Sequence, residues 1–208
     1  SALAAVEKKN PKLITRVIGK FYKGLSDSFV IDHLFIFDEN GDMVHYLSED
    51  IISKFDLTEI STNVFEKNSD HKTTSGFSII NDEICSVIIF KIFSNGRVVG
   101  QVMYAKKVLP LVQDFVSSAE ADYIALYAPK PLYTQNYISF EDFKNNLVTD
   151  ATSLSINAKS YSVNKYDLAL LDGTIVPQYF TRDITSAISE YNRTFIIAAV
   201  LIITALLL

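Results

Sequence analysis

The last fourteen residues of the chain, 195–208, contain one hydroxyl group and no charged side chain. A surface helix of a globular domain has a polar face, and this segment has none. A membrane span needs about 20 residues, so we interpret the segment as the beginning of a transmembrane helix. A buried core helix is the alternative. The membrane interpretation is favoured because Arg193 precedes the segment and no later residue is available to cover it.

Charge and cysteine content narrow the class of protein. The formal net charge is −5 and no basic stripe is present, so nucleic acid is not expected as a partner. The single cysteine, Cys85, excludes an internal disulfide. The first residue is Ser and no apolar signal segment follows it, so we expect the chain to be part of a longer protein.

Periodicity and turn signals predict an α+β fold with antiparallel sheets. Residues 1–28 have the apolar spacing of a helix that restarts near Pro11. Asn40-Gly41 lies between two β-rich runs and predicts a hairpin over residues 29–47. Further strands are predicted at 76–80, 84–93, 97–105 and 122–128, and helices are predicted at 108–118 and 139–148.

The segment between the first hairpin and the three central strands is polar and weakly patterned. Residues 48–55 predict a short helix, and the rest of 48–75 reads as a long loop. Long loops in compact domains are usually functional. Near the C-terminus, Asp172-Gly173 predicts a last hairpin, and Asp183 is the expected cap of the following helix.

Three segments resemble the extracytoplasmic sensor domains of the Cache superfamily, which are PAS-like modules of bacterial membrane receptors. Residues 31–47 look like the opening hairpin, with Asp38 and Gly41 in its turn. Residues 88–127 are similar to the central hairpin, short helix and next strand, and residues 166–202 look like the closing strands and the exit into the membrane.

The resemblance implies a double arrangement with a reduced second lobe. The expected parts are an N-terminal helix at 1–28, a first PAS-like lobe at 29–118, a second lobe at 119–182, an exit helix at 183–194, and the start of a transmembrane helix at 195–208. The amino-acid-binding signature of some double Cache sensors has no counterpart, and the chain contains no Trp. An amino-acid ligand therefore receives no support.

PAS-like modules bind small molecules between a sheet face and the segment that crosses it, which is expected here to be 48–75. Lys91 is an ammonium among apolar neighbours on one strand face, and a carboxylate ligand is one partner for it. Solvent or a nearby carboxylate is the alternative. A second pocket lined by Tyr127, Tyr161 and Tyr166 is a further candidate, and packing of these tyrosines in the core is the alternative. The predicted ligand-binding residues are Tyr46, Lys91, Phe93, Gln101 and Tyr104.

The exit helix is expected to carry the signal. Ile184, Ile188, Tyr191 and Phe195 form one stripe at near-heptad spacing, which is typical of a helix with a parallel partner. We therefore expect a homodimer through the N-terminal and exit helices. Arg182, Asp183 and Ile188 are the predicted signal-relay residues, and helix capping by Asp183 is the simpler alternative.

No enzyme or cofactor signature is present in the sequence. It lacks a phosphate-binding loop, a nucleophile elbow and a Cys-x-x-Cys pair. The histidines His33, His45 and His71 are not at zinc-ligand spacing, although His33 and His45 fall in the same predicted hairpin. No catalytic residue, cofactor or metal is predicted.

The function predicted from these features is a small-molecule-sensing input domain of a bacterial membrane receptor, such as a chemoreceptor, a histidine kinase or a diguanylate cyclase. The resemblance implies an inner-membrane protein whose sensor domain is periplasmic or extracellular. The alternative is a membrane-tethered binding or assembly protein without signalling output.

Overall fold

The computed structural model describes residues 2–52, 73–127, 131–134, 137–147 and 151–207. Within these residues the chain forms two five-stranded sheets and five helices, which confirms the predicted α+β class. It divides into two compact units. The first contains Ser1–Leu111 and Leu168–Val176, and the second contains Val112–Asp167 and Pro177–Leu208. The sequence analysis had assigned residues 168–176 to the second lobe.

The N-terminal segment is two helices, α1 (Ala2–Glu7) and α2 (Pro11–Asp27). The predicted restart near Pro11 is confirmed, because proline takes the first position of α2 and its fixed φ suits a helix start. Asn10 caps the new helix by accepting a hydrogen bond from the backbone N–H of Leu13 at 3.1 Å.

The first sheet is antiparallel and has the strand order β2-β1-β5-β4-β3. The predicted opening hairpin and the three central strands are both present. The Asp38 carboxylate holds the hairpin turn by accepting the N–H groups of Asn40 at 2.8 Å and Asp42 at 2.9 Å. The strands are β1 (His33–Asp38), β2 (Met43–Ser48), β3 (Thr73–Ile80), β4 (Glu83–Ser94) and β5 (Arg97–Lys107).

Each face of the first sheet is apolar. The helix face packs Leu34 and Ile36 against α1 and α2. The opposite face carries Phe35, Val87 and Met103, together with the other members of a second buried cluster. Strand β1 is therefore buried on both sides, which explains the uninterrupted apolar run from Leu34 to Phe37.

An ion pair joins the α1–α2 corner to the first hairpin. The Lys9 ammonium contacts the Asp38 carboxylate, and Glu39 lies 3.7 Å from the same ammonium. Burial alone would raise the pKa of Asp38, but the hydrogen bonds from Lys9, Asn40 and Asp42 outweigh burial and lower it. Asp38 therefore stabilises both the turn and the docking of the helix corner.

Replacing Asp38 by alanine should lower the free energy of unfolding by about 2 kcal/mol, because two turn N–H groups and the Lys9 contact lose their acceptor. Urea denaturation followed by far-ultraviolet circular dichroism measures the change. Glu39→Ala removes an exposed carboxylate from the same turn and should change stability by less than about 0.5 kcal/mol. Equal effects of the two substitutions would contradict this role of Asp38.

The second sheet has the order β7-β6-β10-β9-β8. Numbered from its own first strand, this is the order 2-1-5-4-3, the same as in the first sheet. The sequence shows no internal repeat, so the repeat is structural. The elements are α3 (Val108–Ser118), β6 (Ala121–Ala125), β7 (Leu132–Tyr133), α4 (Phe140–Asn146), β8 (Ser153–Ile156), β9 (Lys159–Ala169), β10 (Ile175–Asp183) and α5 (Thr185–Leu207).

One face of the second sheet is closed by α4. Phe143 of this helix is fully buried and meets the ring of Tyr179 with centroids 5.3 Å apart. Ile124 and Tyr161 complete this side of the core. Ser139 caps α4 as predicted, since its hydroxyl accepts the N–H of Asp142 at 3.1 Å.

The C-terminal helix α5 runs unbroken from Thr185 to Leu207. It covers the predicted exit helix and most of the apolar segment at 195–208. In the part of the chain that the structure describes, no helix combines the length and the apolar character required of a membrane span. Entry of α5 into a membrane remains a prediction.

Candidate ligand-binding site

Three of the predicted ligand-binding residues share one face of the first sheet. Lys91 pairs with Gln101 across β4 and β5, and Tyr46 pairs with Phe35 across β2 and β1. All lie on the face opposite α1 and α2, as strand alternation predicts. Gln101 is buried, and Lys91 already has an interaction partner in the fold. Its ammonium therefore does not by itself require a ligand.

The other two residues are placed differently. Tyr104 lies on the helix face, opposite Ile88, and its ring meets Phe90 edge-on with centroids 5.1 Å apart. Gln101 and Tyr104 are an odd number of residues apart on β5, so they point to opposite faces. Phe93 follows a register shift after Ile92, which interrupts the alternation. Of the predicted crossing segment 48–75, residues 53–72 lie outside the described residues, and its two ends belong to β2 and β3.

A buried polar cluster lies where β1 begins and β2 ends. The His33 side chain is fully buried, and its Nδ1 is 2.8 Å from the Ser48 hydroxyl. Its Nε2 has no hydrogen-bond partner among the described residues and is 3.9 Å from an Asp50 carboxylate oxygen. Lys107 bridges Asp50 and Glu83 at 2.7 Å each. Asp50 is therefore paired with Lys107 and does not hold a proton on the neighbouring His33, whose pKa is lowered.

His33 and His45 do not form a pair. His45 is opposite Ile36 and points to the helix face, where its Nε2 is 2.8 Å from the Thr15 hydroxyl. His33 is on the opposite face of the same hairpin. Across the described ranges no cluster of histidine, cysteine and carboxylate groups has the arrangement of a metal site, and His71 lies outside those ranges.

Burial of His33 makes the stability of the first unit depend on pH. Burial lowers the pKa of His33, and Lys107 lowers it further against the opposing effect of Asp50. The unfolded chain therefore binds this proton at a higher pH than the folded chain does. Stability from this residue is present above the unfolded pKa of about 6.5 and is lost as the pH falls below it.

Wild type is expected to lose about 1 kcal/mol more stability than His33→Gln when the pH falls from about 7.5 to about 5.5. Denaturation curves at the two pH values measure the difference. The pKa of His45 is also lowered by burial, but His45 is present in both proteins and its contribution cancels. Parallel pH profiles for the two proteins would contradict the assignment to His33.

A cavity of about 710 Å³ lies in the second unit, on the face of the second sheet opposite α4. Tyr179 faces α4, so the neighbouring Phe180 and Arg182 of β10 face the cavity. Tyr166 of β9 and Phe115 of α3 complete its aromatic lining. Cavities of this size hold small-molecule ligands in proteins.

The Phe180 ring forms the floor of the cavity, and the Phe115 and Tyr166 rings form two of its walls. Phe115 meets Phe180 with centroids 6.2 Å apart and ring planes at 82°, and Tyr166 meets Phe180 at 5.8 Å and 79°. Both walls are therefore nearly perpendicular to the floor. Tyr123 of β6 is directly opposite Phe180 on the same face of the sheet, and the two rings pack with centroids 5.2 Å apart. Burial raises the pKa of Tyr123 to about 12, so this phenol stays neutral.

Polar groups are few and lie at one side of the cavity. Arg182 is the charged side chain among the described residues of the lining, and Ser162 and Asn164 of β9 add a hydroxyl and an amide. Arg182 is exposed and forms no ion pair within the described part of the chain. The cavity thus combines an apolar, aromatic interior with one cationic edge.

The strand that lines the cavity leads directly into α5. Asp183 accepts the N–H of Thr185 at 2.9 Å and pairs with Lys159 at 3.2 Å. Hydrogen bonds from Thr185, with Lys159, lower the pKa of Asp183 to about 2. The Ser160 N–H donates to the Thr185 hydroxyl at 2.9 Å, which ties α5 to β9. Ile188 is partly exposed one turn further along α5.

Sequence reasoning identified part of this site. Tyr166 was a candidate for a second pocket and lines the cavity, whereas Tyr161 is buried against α4. Arg182 was predicted only as a relay residue. Phe115 and Phe180 were missed. Phe180 and Arg182 alternate with the buried Thr181, and this alternation was the one available signal.

The fold of this chain is similar to that of a periplasmic domain of known structure. The periplasmic domain of Vibrio cholerae LuxQ matches with a TM-score of 0.52 at 11% sequence identity, over 88% of this chain and 85% of that chain. This likeness shows the fold and confirms the predicted PAS-like α+β class. No family model and no curated protein matches the chain.

Two further solved structures have TM-scores below 0.5. The ligand-binding domain of the Pseudomonas fluorescens chemoreceptor CtaA with L-serine scores 0.49 at 13% identity, over 88% of this chain and 84% of that chain. The sensor domain of the V. cholerae histidine kinase DctB scores 0.48 at 7% identity, over 88% and 82%.

Proposed function

We propose that this chain is the extracytoplasmic small-molecule-sensing input domain of a membrane-bound bacterial signalling receptor. The observation that carries the proposal is the cavity of the second unit, whose β10 wall continues within one residue into α5. Phe180 and Arg182 line the cavity, and Thr185 begins the helix. The fold shared with the LuxQ periplasmic domain supports the same role.

The start of α5 is fixed to the sheet at several points. Lys159 and Ser160 of β9 bind Asp183 and Thr185, and the N–H of Ile184 donates to the carbonyl of Ser160 at 2.8 Å. A shift of β9 against β10 therefore moves the first turn of α5. A ligand drives such a shift only through its different affinity for the two arrangements. Asp183 transmits the movement, and Arg182 connects it to the cavity.

The proposed receptor sits in the inner membrane with this domain in the periplasm or outside the cell. Its helices are proposed to meet those of a second copy. Ile188, Tyr191 and Phe195 are exposed along α5 at near-heptad spacing, which supports a parallel helix partner. The output is a chemoreceptor, histidine kinase or diguanylate cyclase module, and no catalysis is assigned to this chain. The alternative is a tethered binding or assembly protein without output.

A thermal-shift screen with carboxylates, amino acids, amines and purines tests for a ligand. A binding compound should raise the melting temperature, and its response to Lys91→Ala and Arg182→Gln should assign it to the first or the second unit. Lys12→Ala removes an exposed charge from α2 and serves as the control. Failure of every compound class to stabilise the protein would contradict the sensing function.

A further inference from the structure

We infer that the cavity of the second unit binds a small carboxylate with an aromatic body, whose ring enters the Phe115–Tyr166–Phe180 box and whose carboxylate meets Arg182. The inference rests on the proposed sensing function and names the ligand class. Tyr46, Lys91, Phe93, Gln101 and Tyr104 lie outside this site, whereas Tyr166, a candidate for a second pocket, lines it.

Among the described residues, this face of the second sheet has little helical cover. In the first unit, the helix face of a sheet with the same strand order is filled by α1 and α2. In the second unit, α3 is the helix whose side chains line the cavity, and it contributes Phe115. Large apolar side chains therefore stay exposed in a concave surface, where a ligand can remove them from water.

The ring arrangement selects the body of the ligand. Phe115 and Tyr166 are 61% and 59% exposed, and each meets the Phe180 ring edge-on. A flat ring placed between such walls makes stacked and edge-to-face contacts together. The cavity volume of about 710 Å³ admits one- and two-ring molecules.

The charge of Arg182 selects the head group. A guanidinium binds a carboxylate through two parallel hydrogen bonds, and the described lining offers no competing carboxylate. An aromatic box alone also suits a quaternary ammonium ion. Arg182 at the edge of this box disfavours a cation by like-charge repulsion and favours an anion. Ser162 and Asn164 supply further hydrogen-bonding groups on the same side of the cavity.

Isothermal titration of the full chain with phenylacetate and indole-3-acetate tests the inference. Matched probes are phenylacetamide, which lacks the charge; acetate, which lacks the ring; and choline, which reverses the charge. Either aromatic acid should bind more tightly than all three matched probes. Binding of choline more tightly than the aromatic acids, or no binding of the acids at roughly millimolar concentration, would overturn the ligand class.

Substitutions locate the binding. Arg182→Gln should weaken phenylacetate roughly fivefold and leave phenylacetamide unchanged, because the amide makes no ion pair. Tyr166→Ala should weaken phenylacetate roughly tenfold. Lys165→Gln removes a charge from the same strand outside the cavity, and Tyr137→Ala removes an exposed ring outside it. Both control variants should bind as wild type does.

The outcomes separate this inference from the proposed function. Binding of an aromatic acid that is indifferent to Arg182→Gln and Tyr166→Ala would overturn the site. If only another class of compound stabilises the protein, the ligand class is wrong and the sensing function stands. If no small molecule binds, both fail.

Discussion

Replacing Asp122 by alanine is expected to lower the free energy of unfolding by about 4 kcal/mol, one of the largest losses that a single substitution in the second unit can cause. Asp122 of β6 is fully buried. One carboxylate oxygen accepts the backbone N–H groups of Tyr137 at 2.9 Å and Ile138 at 2.8 Å, and the other lies 3.5 Å from the Thr134 hydroxyl. Alanine leaves the two backbone N–H groups without this acceptor, whereas the Thr134 hydroxyl keeps the Tyr123 carbonyl at 3.5 Å.

Chemical denaturation of the chain measures this loss. A conservative variant of Asp122 and a control variant on the surface are measured beside it. Asp122→Asn keeps one acceptor oxygen and should lose about 2 kcal/mol. Asp167→Ala removes an exposed carboxylate of β9 and should change stability by less than about 0.5 kcal/mol. A loss below about 1 kcal/mol for Asp122→Ala would show that water or other groups replace the carboxylate.

The substitution Gly100→Ala is expected to destabilise the first unit by about 3 kcal/mol. A Cβ atom at this position would lie 2.5 Å from the backbone oxygen of Phe37 and 3.0 Å from a methyl carbon of Val6. The Phe37 carbonyl belongs to the interior strand β1, which is paired on both sides, so it cannot move aside without disturbing the sheet. Glycine is required here by close approach of the neighbouring strand and of α1.

Gly24→Ala is the matched control for this effect. A Cβ atom at Gly24 would meet nothing within 4 Å, and the residue lies on the exposed side of α2. Alanine has the higher helix propensity, so this variant should be neutral or more stable by up to about 1 kcal/mol. Thermal and urea denaturation compare both variants. Equal stability of Gly100→Ala and wild type would contradict the packing of α1 on β1 and β5.

Local signals in the sequence were sufficient for the larger elements. Asn40-Gly41 and Asp172-Gly173 located two turns because glycine accepts positive φ, and the structure has Gly41 at 85° and Gly173 at 92°. Pro11 located the start of α2. The strands β7 and β8 were missed because β7 has two residues and β8 has four, too few to show a periodicity.

The candidate site was less accessible from the sequence. Alternation along one strand placed Lys91 and Gln101 on one face, but a register shift before Phe93 cannot be read from residue types. The cavity depends on how α3 packs on the second sheet. Phe115 and Phe180 are 65 positions apart in the sequence and form one site only through that packing.

Ligand binding beside β10 should change the surroundings of α5, and a fluorine label on this helix reports that change. Cys85 is buried, and burial raises the pKa of its thiol, so a new cysteine at the exposed Ser189 can be labelled selectively. The ¹⁹F spectrum of the labelled full chain in lipid nanodiscs is recorded with and without a compound found by the thermal-shift screen.

The sensing account predicts that a compound bound in the second unit changes the ¹⁹F signal of α5. The change should shrink in Asp183→Ala, which loses the contacts of this carboxylate with Thr185 and Lys159. A label at an exposed position of α2, Lys12→Cys, should keep its signal on binding. Saturating binding in the second unit with an unchanged α5 signal would contradict the account and favour a tethered binding protein.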